Sequence, residues 1–151
     1  MIGKCLTRIY FIHLCAIVAV WLAMYYPGAD IAVSLLYCYV IWKEGRYAAF
    51  QLATCRESVI AGLLWQMPAL LLSGAALLDL KITDLTYYSI FILQLWETPV
   101  MPIISLGPRA LGLNKPLYYY MLFIMIPILL LLYIQPLTRR VRKPGRRYNS
   151  F

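Results

Sequence analysis

The sequence predicts an all-α integral membrane protein, a bundle of four transmembrane helices with one further segment that is broken by prolines. Two observations support this class. Hydrophobic residues make up 63% of the 151 positions and charged residues only 13%, whereas soluble domains average about 45–50% apolar and about 25% charged residues. In addition, three uncharged apolar runs, at 9–29, 59–78 and 117–137, each reach the roughly 20 residues that a bilayer-spanning helix needs.

The first two predicted spans lie at 9–26 and 28–45. The first is interpreted as an uncleaved helix, because it is long for the hydrophobic part of a signal peptide and ends without the small residues of a cleavage site. The second has an apolar part of only 31–42, so it needs its flanking residues to cross the hydrocarbon. A Pro-Gly pair between the two spans favours a tight turn.

The third and fourth predicted spans, at 59–78 and 117–137, are continuous apolar runs. The third carries the small residues Ala69, Ser73 and Gly74 in its second half. Small side chains allow the backbones of two membrane helices to approach each other closely. We therefore expect these three residues to form a packing surface, either within the chain or with a partner.

The distribution of Lys and Arg predicts how these spans are oriented, since cytoplasmic loops collect basic residues. With four spans and a cytoplasmic N-terminus, eleven basic residues fall on the cytoplasmic side and three on the far side. If all five apolar runs crossed, the basic residues would divide equally, and a span at 85–106 in place of the second run gives nine and five. We therefore expect one multi-pass domain at 1–138 in the cell membrane, with both termini cytoplasmic.

Residues 139–151 are predicted to form a basic cytoplasmic tail. Basic residues directly after a membrane span favour contact with anionic lipid headgroups. Nucleic acid is not expected as a partner, because the tail contains few of the aromatic residues on which bases stack in nucleic-acid-binding proteins. The residues expected to contact headgroups are Arg139, Arg140, Arg142, Lys143, Arg146 and Arg147.

The segment at 85–106 begins as an apolar helix but does not fit a continuous one. Pro99 and Pro102 lack a backbone N–H and push the residues before them away from the helical conformation. A helix that ends near Glu97 is only about 20 Å long, too short to cross. Broken backbone in lipid must be buried in protein or line a wet cavity. We expect this segment either to re-enter on the extracytoplasmic side or to cross with a sharp kink.

Glu97 is the acidic residue that lies well inside an apolar run, and it is the centre of the predicted site. Intramembrane ionisable residues are costly and usually functional. Its candidate partners are Gln94, Arg109, and Tyr or Thr hydroxyls such as that of Thr98. Three interpretations remain open: a proton-linked or substrate-binding site, a polar staple that holds the broken helix to its neighbours, or a carboxylate at the headgroup interface.

His13 is the sole histidine, so ligation of a haem by two histidines of one chain is excluded. It either ligates a haem shared with another subunit or forms a hydrogen bond between helices. Its position near the predicted cytoplasmic boundary of the first span favours the interhelical hydrogen bond.

Motifs that carry chemistry are absent from the sequence, which has no P-loop, dinucleotide fingerprint, zinc-protease motif or nucleophile elbow. The four cysteines form no CxxC pair. We therefore expect no metal and no cofactor, and catalysis is not the preferred function. In order of preference, the function classes are a non-catalytic subunit or assembly partner of a larger membrane complex, a small carrier or channel that uses Glu97, and an intramembrane lipid-modifying enzyme. A membrane-protein partner or a homo-oligomer is expected.

Overall fold

The computed structural model describes residues 2–51, 55–77, 83–106, 111–112 and 115–141, which are helical apart from turns and one pair of two-residue strands. The predicted all-α class is confirmed for this part of the chain. Thr98–Val100 is a 3₁₀ turn between α4 and α5. Strands β1 (Leu111–Gly112) and β2 (Lys115–Pro116) pair antiparallel just before α6. The helices are α1 (Ile2–Ala23), α2 (Ala29–Gln51), α3 (Cys55–Leu77), α4 (Thr83–Trp96), α5 (Met101–Ser105) and α6 (Leu117–Val141).

Two of these helices contain stretches that are long and apolar enough to cross a membrane, namely Ile2–Ala23 and Arg56–Ala76. α2 has 23 residues, but its sequence includes four charged ones. In α6 the apolar part within the described side chains is shorter, Tyr120–Pro136. By length and composition, the described residues therefore contain two candidate spans rather than the four that the sequence predicts.

The helices extend beyond the predicted spans at several ends. α1 begins at Ile2 rather than at residue 9, and α2 continues to Gln51. α6 continues to Val141, so the backbone of Arg139 and Arg140, the first residues of the predicted tail, is helical. The physical reason is that hydropathy marks only the apolar part of a helix, whereas its hydrogen bonds continue through polar residues such as Lys and Arg, which favour helices.

The turn between α1 and α2 depends on Gly28, whose φ angle is 82°. Glycine adopts this conformation without the steric cost that a Cβ atom brings. The Ala29 N–H donates to the Tyr26 carbonyl at 3.1 Å, which closes the turn. α1 and α2 therefore pack against each other as antiparallel neighbours.

Tyr133 of α6 marks one end of the bundle. Its hydroxyl oxygen lies 3.7 Å from Sγ of Cys5, near the start of α1. Its backbone touches Gly45, late in α2, and its ring touches Gly62, early in α3. The start of α1, the late part of α2, the early part of α3 and the late part of α6 therefore meet at what we call the basic end. Its exposed cations include Lys4, Arg8, Lys43, Arg46 and Arg56.

α4 and α6 both begin at the opposite end of the bundle. α4 follows α3 and packs along it, so it runs from that end toward the centre. Thr98–Val100 then contacts α1 and α2, and α5 packs against α2 and α6. α6 begins at the end where α4 begins. Tyr133, late in α6, lies at the basic end, and Leu122 and Ile126 in the first half of α6 are buried in the bundle. If the helix ran the other way, these two residues would protrude past the basic end.

Candidate functional site

Glu97 lies at the break between α4 and the 3₁₀ turn, and its exposed fraction is 0%. Its N–H donates to the Leu93 carbonyl at 2.8 Å, which completes the last turn of α4. Its own carbonyl accepts from the N–H groups of Val100 and Met101 at 2.9 and 3.1 Å. The backbone polar groups of Glu97 are thus paired inside the broken segment, and its carboxyl group points into the bundle.

The prolines act by starting new short helices. Pro99 lies in the first turn of the 3₁₀ turn, and Pro102 lies in the first turn of α5. A proline is tolerated there, because the N–H group of that position has no partner within the helix anyway. The Thr98 hydroxyl donates to the Gln94 carbonyl at 3.2 Å, which satisfies one of the carbonyl groups in the last turn of α4.

His13 of α1 lies beside this break. Its ring centroid is 4.4 Å from that of Trp96 and 5.9 Å from that of Trp65. Its Nδ1 atom lies 2.7 Å from the hydroxyl oxygen of Tyr37 in α2. The interhelical hydrogen bond that the sequence favours for His13 is therefore confirmed. Within α1, which begins at Ile2, His13 lies at the middle of the helix.

Tyr37 lies near Glu97 but is not hydrogen-bonded to it, since both carboxyl oxygens have no hydrogen-bond partner in the described part of the chain. We call His13, Tyr37, Trp65, Trp96 and Glu97 the polar cluster. The cluster lies at mid-height of the bundle, because both the middle of α1 and the middle of α3 contribute to it. Four separate helices therefore bring their polar groups to one level.

Several polar atoms at this level are buried and have no hydrogen-bond partner among the described residues. In the cluster they are Nε2 of His13, Nε1 of Trp65 and of Trp96, and both carboxyl oxygens of Glu97. Gln66, which follows Trp65 in α3, is fully buried and its amide is also without a partner. An unsatisfied buried polar group costs about 1–3 kcal/mol. So many at one level are unusual in a native protein and mark this level as the candidate site.

The predicted site residues do not all meet. Glu97 is central, but Thr98 donates to the backbone of Gln94 and is therefore engaged away from the carboxyl group. Gln94 itself is half-buried. Arg109 lies outside the described residues. The interpretation of Glu97 as a headgroup carboxylate does not fit a side chain with no exposed surface.

Sequence reasoning missed several of the buried polar groups at this level. Gln66 carried a usable signal, because a primary amide in the middle of an apolar run is expensive in lipid unless it has a role. Tyr hydroxyls were expected near Glu97 in general, but Tyr37 and Trp96 could not be singled out, since aromatic residues are frequent in any membrane segment. Only the packing of α1 and α2 against the 3₁₀ turn after α4 shows that these side chains belong together.

The residues of the predicted packing surface on α3 differ in their surroundings within the chain. Ala69 and Ser73 are buried, and the Ser73 hydroxyl donates to the Ala69 carbonyl at 2.7 Å. A Cβ atom on Gly74 would meet nothing within 4 Å among the described residues. Gly74 follows Ser73 directly and so points about 100° away from it around the helix. The close approaches occur instead at Gly45 and Gly62, both against α6.

No family model, curated protein or solved structure matches this chain. What the site can do must therefore follow from its own chemistry. The described part of the chain brings no three His, Cys, Asp or Glu side chains together as metal ligands. The polar cluster combines one carboxyl, one imidazole and one phenol group, which can hold a proton or hydrogen-bond a small polar group.

The basic end holds a separate ion pair. A guanidinium nitrogen of Arg8 lies 2.6 Å from Oε1 of Glu44, and the Arg8 guanidinium also lies 4.0 Å from the ring centroid of Tyr47. The Glu44 side chain is only 10% exposed, so this pair is partly shielded from solvent. The side chains of the residues predicted to contact headgroups lie outside the described part of the structure. For residues 142–147 the backbone lies outside it as well.

Proposed function

We propose that this chain is a multi-pass protein of the cell membrane that acts as a non-catalytic subunit or assembly partner of a larger membrane complex. The supporting observation is that large apolar side chains cover the outside of the bundle, whereas several polar side chains are buried within its hydrophobic core. Only 28% of the apolar stretch of α1 and 33% of that of α3 is buried inside the bundle, whereas the core helix of a soluble protein is mostly buried. Every long helix exposes large apolar side chains, for example Phe11, Leu35, Leu71, Phe91 and Leu131.

The basic end supports a cytoplasmic position for the N-terminus of the bundle, since cytoplasmic segments collect Lys and Arg. In this proposal α1, α2, α3 and α6 are the four spans, and α4 to β2 re-enters from the extracytoplasmic side. The charges late in α2 fit this arrangement, because Lys43 lies over the ring of Tyr39 and Arg46 over that of Trp42. Such side chains can extend to the interface while their stems cover apolar surface.

The closed centre supports a role in assembly. Trp65, Gln66 and Glu97 have exposed fractions of 0%, so the polar cluster has no exposed surface at these positions. A well-packed bundle with an apolar exterior can associate laterally with other membrane helices through van der Waals packing. The negative findings on chemical motifs in the sequence point in the same direction.

Purification of the full-length chain in mild detergent tests this proposal. We expect a foreign membrane protein at fixed stoichiometry, identified by mass spectrometry and light scattering. We expect a specific partner to be lost when exposed residues of one helix are substituted and to be kept when those of another helix are substituted. The matched variants are Phe11→Ala with Leu14→Ala on α1, and Phe91→Ala with Ile92→Ala on α4. The assembly role is contradicted if the chain purifies alone, or if the co-purifying proteins are unaffected by both pairs of substitutions.

A small proton-linked carrier is the second candidate, and the unpartnered polar atoms beside a broken helix favour it, since discontinuous helices recur at transport sites. The test is reconstitution of the chain in vesicles that contain a pH-sensitive dye and carry a potassium diffusion potential. Proton uptake that is lost in Glu97→Gln and kept in Glu57→Gln supports this function. Equal uptake in the parent protein and Glu97→Gln removes Glu97 from any transport mechanism.

A further inference from the structure

We propose that Glu97 is a proton-binding site that holds the broken segment closed. In the closed bundle its carboxyl group carries a proton, and loss of that proton releases residues 97–105 from α1 and α2. The proposal rests on the membrane placement above but requires neither a partner protein nor transport.

The first step concerns what surrounds the carboxyl group. Both oxygens of Glu97 are buried without a hydrogen-bond partner in the described part of the chain. A carboxylate ion in such a place loses its hydration and gains no partner, so the neutral acid is the form that fits.

The second step concerns compensating charge. The titratable groups near the break are Tyr10 and His13 from α1 and Tyr37 and Cys38 from α2. α5 has no titratable side chain, and α3 contributes Trp65, which does not titrate, at this level. Among the described side chains at mid-height none is a Lys or an Arg, since the described cations lie at the basic end. A bound proton is therefore the compensation that the surroundings favour.

The third step concerns the Tyr37 hydroxyl, which lies 2.7 Å from Nδ1 of His13. That hydroxyl is engaged with the imidazole, and neither carboxyl oxygen of Glu97 has a hydrogen-bond partner in the described part of the chain. A carboxylate at this position would have no donor to stabilise it, whereas the neutral acid carries no charge that needs one.

The fourth step connects the proton to the fold. The segment after Glu97 is anchored through Val100, Pro102 and Ile104, which are buried. A negative charge on Glu97 needs water or new donors, and moving this short segment outward supplies them without unfolding a long helix. Because the closed form binds the proton more tightly than a hydrated form does, raising the pH shifts the population toward the open form.

Infrared difference spectroscopy on the full-length chain in lipid vesicles tests the proton. We expect the C=O stretching band of a protonated carboxyl at acidic pH, its loss at alkaline pH, its absence in Glu97→Gln and its persistence in Glu57→Gln. The absence of a titrating band, or its survival in Glu97→Gln, overturns the assignment.

Tryptophan quenching tests the release of the segment. In a Trp21→Phe, Trp42→Phe background, the remaining indoles are Trp65 and Trp96 of the polar cluster. We expect acrylamide quenching to rise at least twofold with pH in this background and to stay low in its Glu97→Gln derivative. Quenching that is independent of pH overturns the coupling. If the chain purifies without partners but shows both the titrating carboxyl band and the pH-dependent quenching, only the assembly role is contradicted. Failure of the assembly role and failure of the present proposal can therefore be told apart.

Discussion

Nδ1 of His13 and the hydroxyl oxygen of Tyr37 lie 2.7 Å apart, and this contact joins α1 to α2 at the level where α4 ends. The His13 ring also lies against Trp96, the last residue of α4. One side chain of α1 therefore links the neighbouring span to the broken segment. Changes at this level should affect both the stability of the bundle and the position of the break.

Tyr37→Phe should destabilise the bundle because it leaves the imidazole without its partner. We expect a loss of roughly 1–3 kcal/mol in the free energy of unfolding, the cost of an unsatisfied buried polar group. Tyr39→Phe is the matched control, because Tyr39 lies two residues away on the same helix and is 51% exposed. The measurement is denaturant unfolding in detergent micelles followed by circular dichroism. Equal losses in the two variants would show that the His13 contact contributes nothing.

Gly45→Ala should disrupt the contact between α2 and α6. A Cβ atom at this position overlaps the backbone carbonyl of Tyr133, which has no side-chain freedom to move away. Overpacking of this kind costs about 1–3 kcal/mol. Gly74→Ala is the control, where the added methyl group meets no described atom within 4 Å and better helix propensity should stabilise by up to about 1 kcal/mol. Unfolding free energies of opposite sign relative to the parent are expected, and a neutral Gly45→Ala contradicts the close packing.

Arg8→Gln should lower stability more than Lys4→Gln, although each removes one positive charge from the basic end. Arg8 pairs with Glu44, whose side chain is mostly buried, and it covers the ring of Tyr47. Lys4 is exposed near the start of the same helix. Because Arg8 itself is half-exposed, we expect a difference of only about 1 kcal/mol, the upper range for exposed ion pairs. Identical unfolding midpoints for the two variants would contradict a structural role for the ion pair.

Arg109→Cys and Lys115→Cys should report on the side of the membrane that faces the broken segment. In a background with the four native cysteines replaced by alanine, an impermeant maleimide applied to intact cells is expected to label both positions. It should label Lys143→Cys only after the membrane is permeabilised. Residues 109 and 143 lie outside the described part of the chain, so this experiment tests the charge distribution directly. Labelling of Lys143→Cys in intact cells, or protection of both other positions, would contradict the four-span arrangement.

The break after α4 is the structural feature that sequence reasoning approached most closely. α4 ends at Trp96, next to the residue at which the sequence predicts the end of the helix. This position was accessible because a missing N–H group and a restricted preceding residue are properties of proline itself. The side chains around Glu97 were not accessible, because they depend on how four helices are rotated about their axes.

The sequence by itself determined the all-α class and the place of the proline break, since helix formation and proline chemistry act over a few neighbouring residues. Only the tertiary structure decided that His13 meets Tyr37, 24 residues away along the chain, and that both lie beside the end of α4. The same holds for the enclosed Gly45, while Gly74 of the predicted packing surface meets no described neighbour. The physical reason is that the length of an apolar run determines which segments pack together as helices. The rotation and depth of each helix then determine which polar groups meet in the interior.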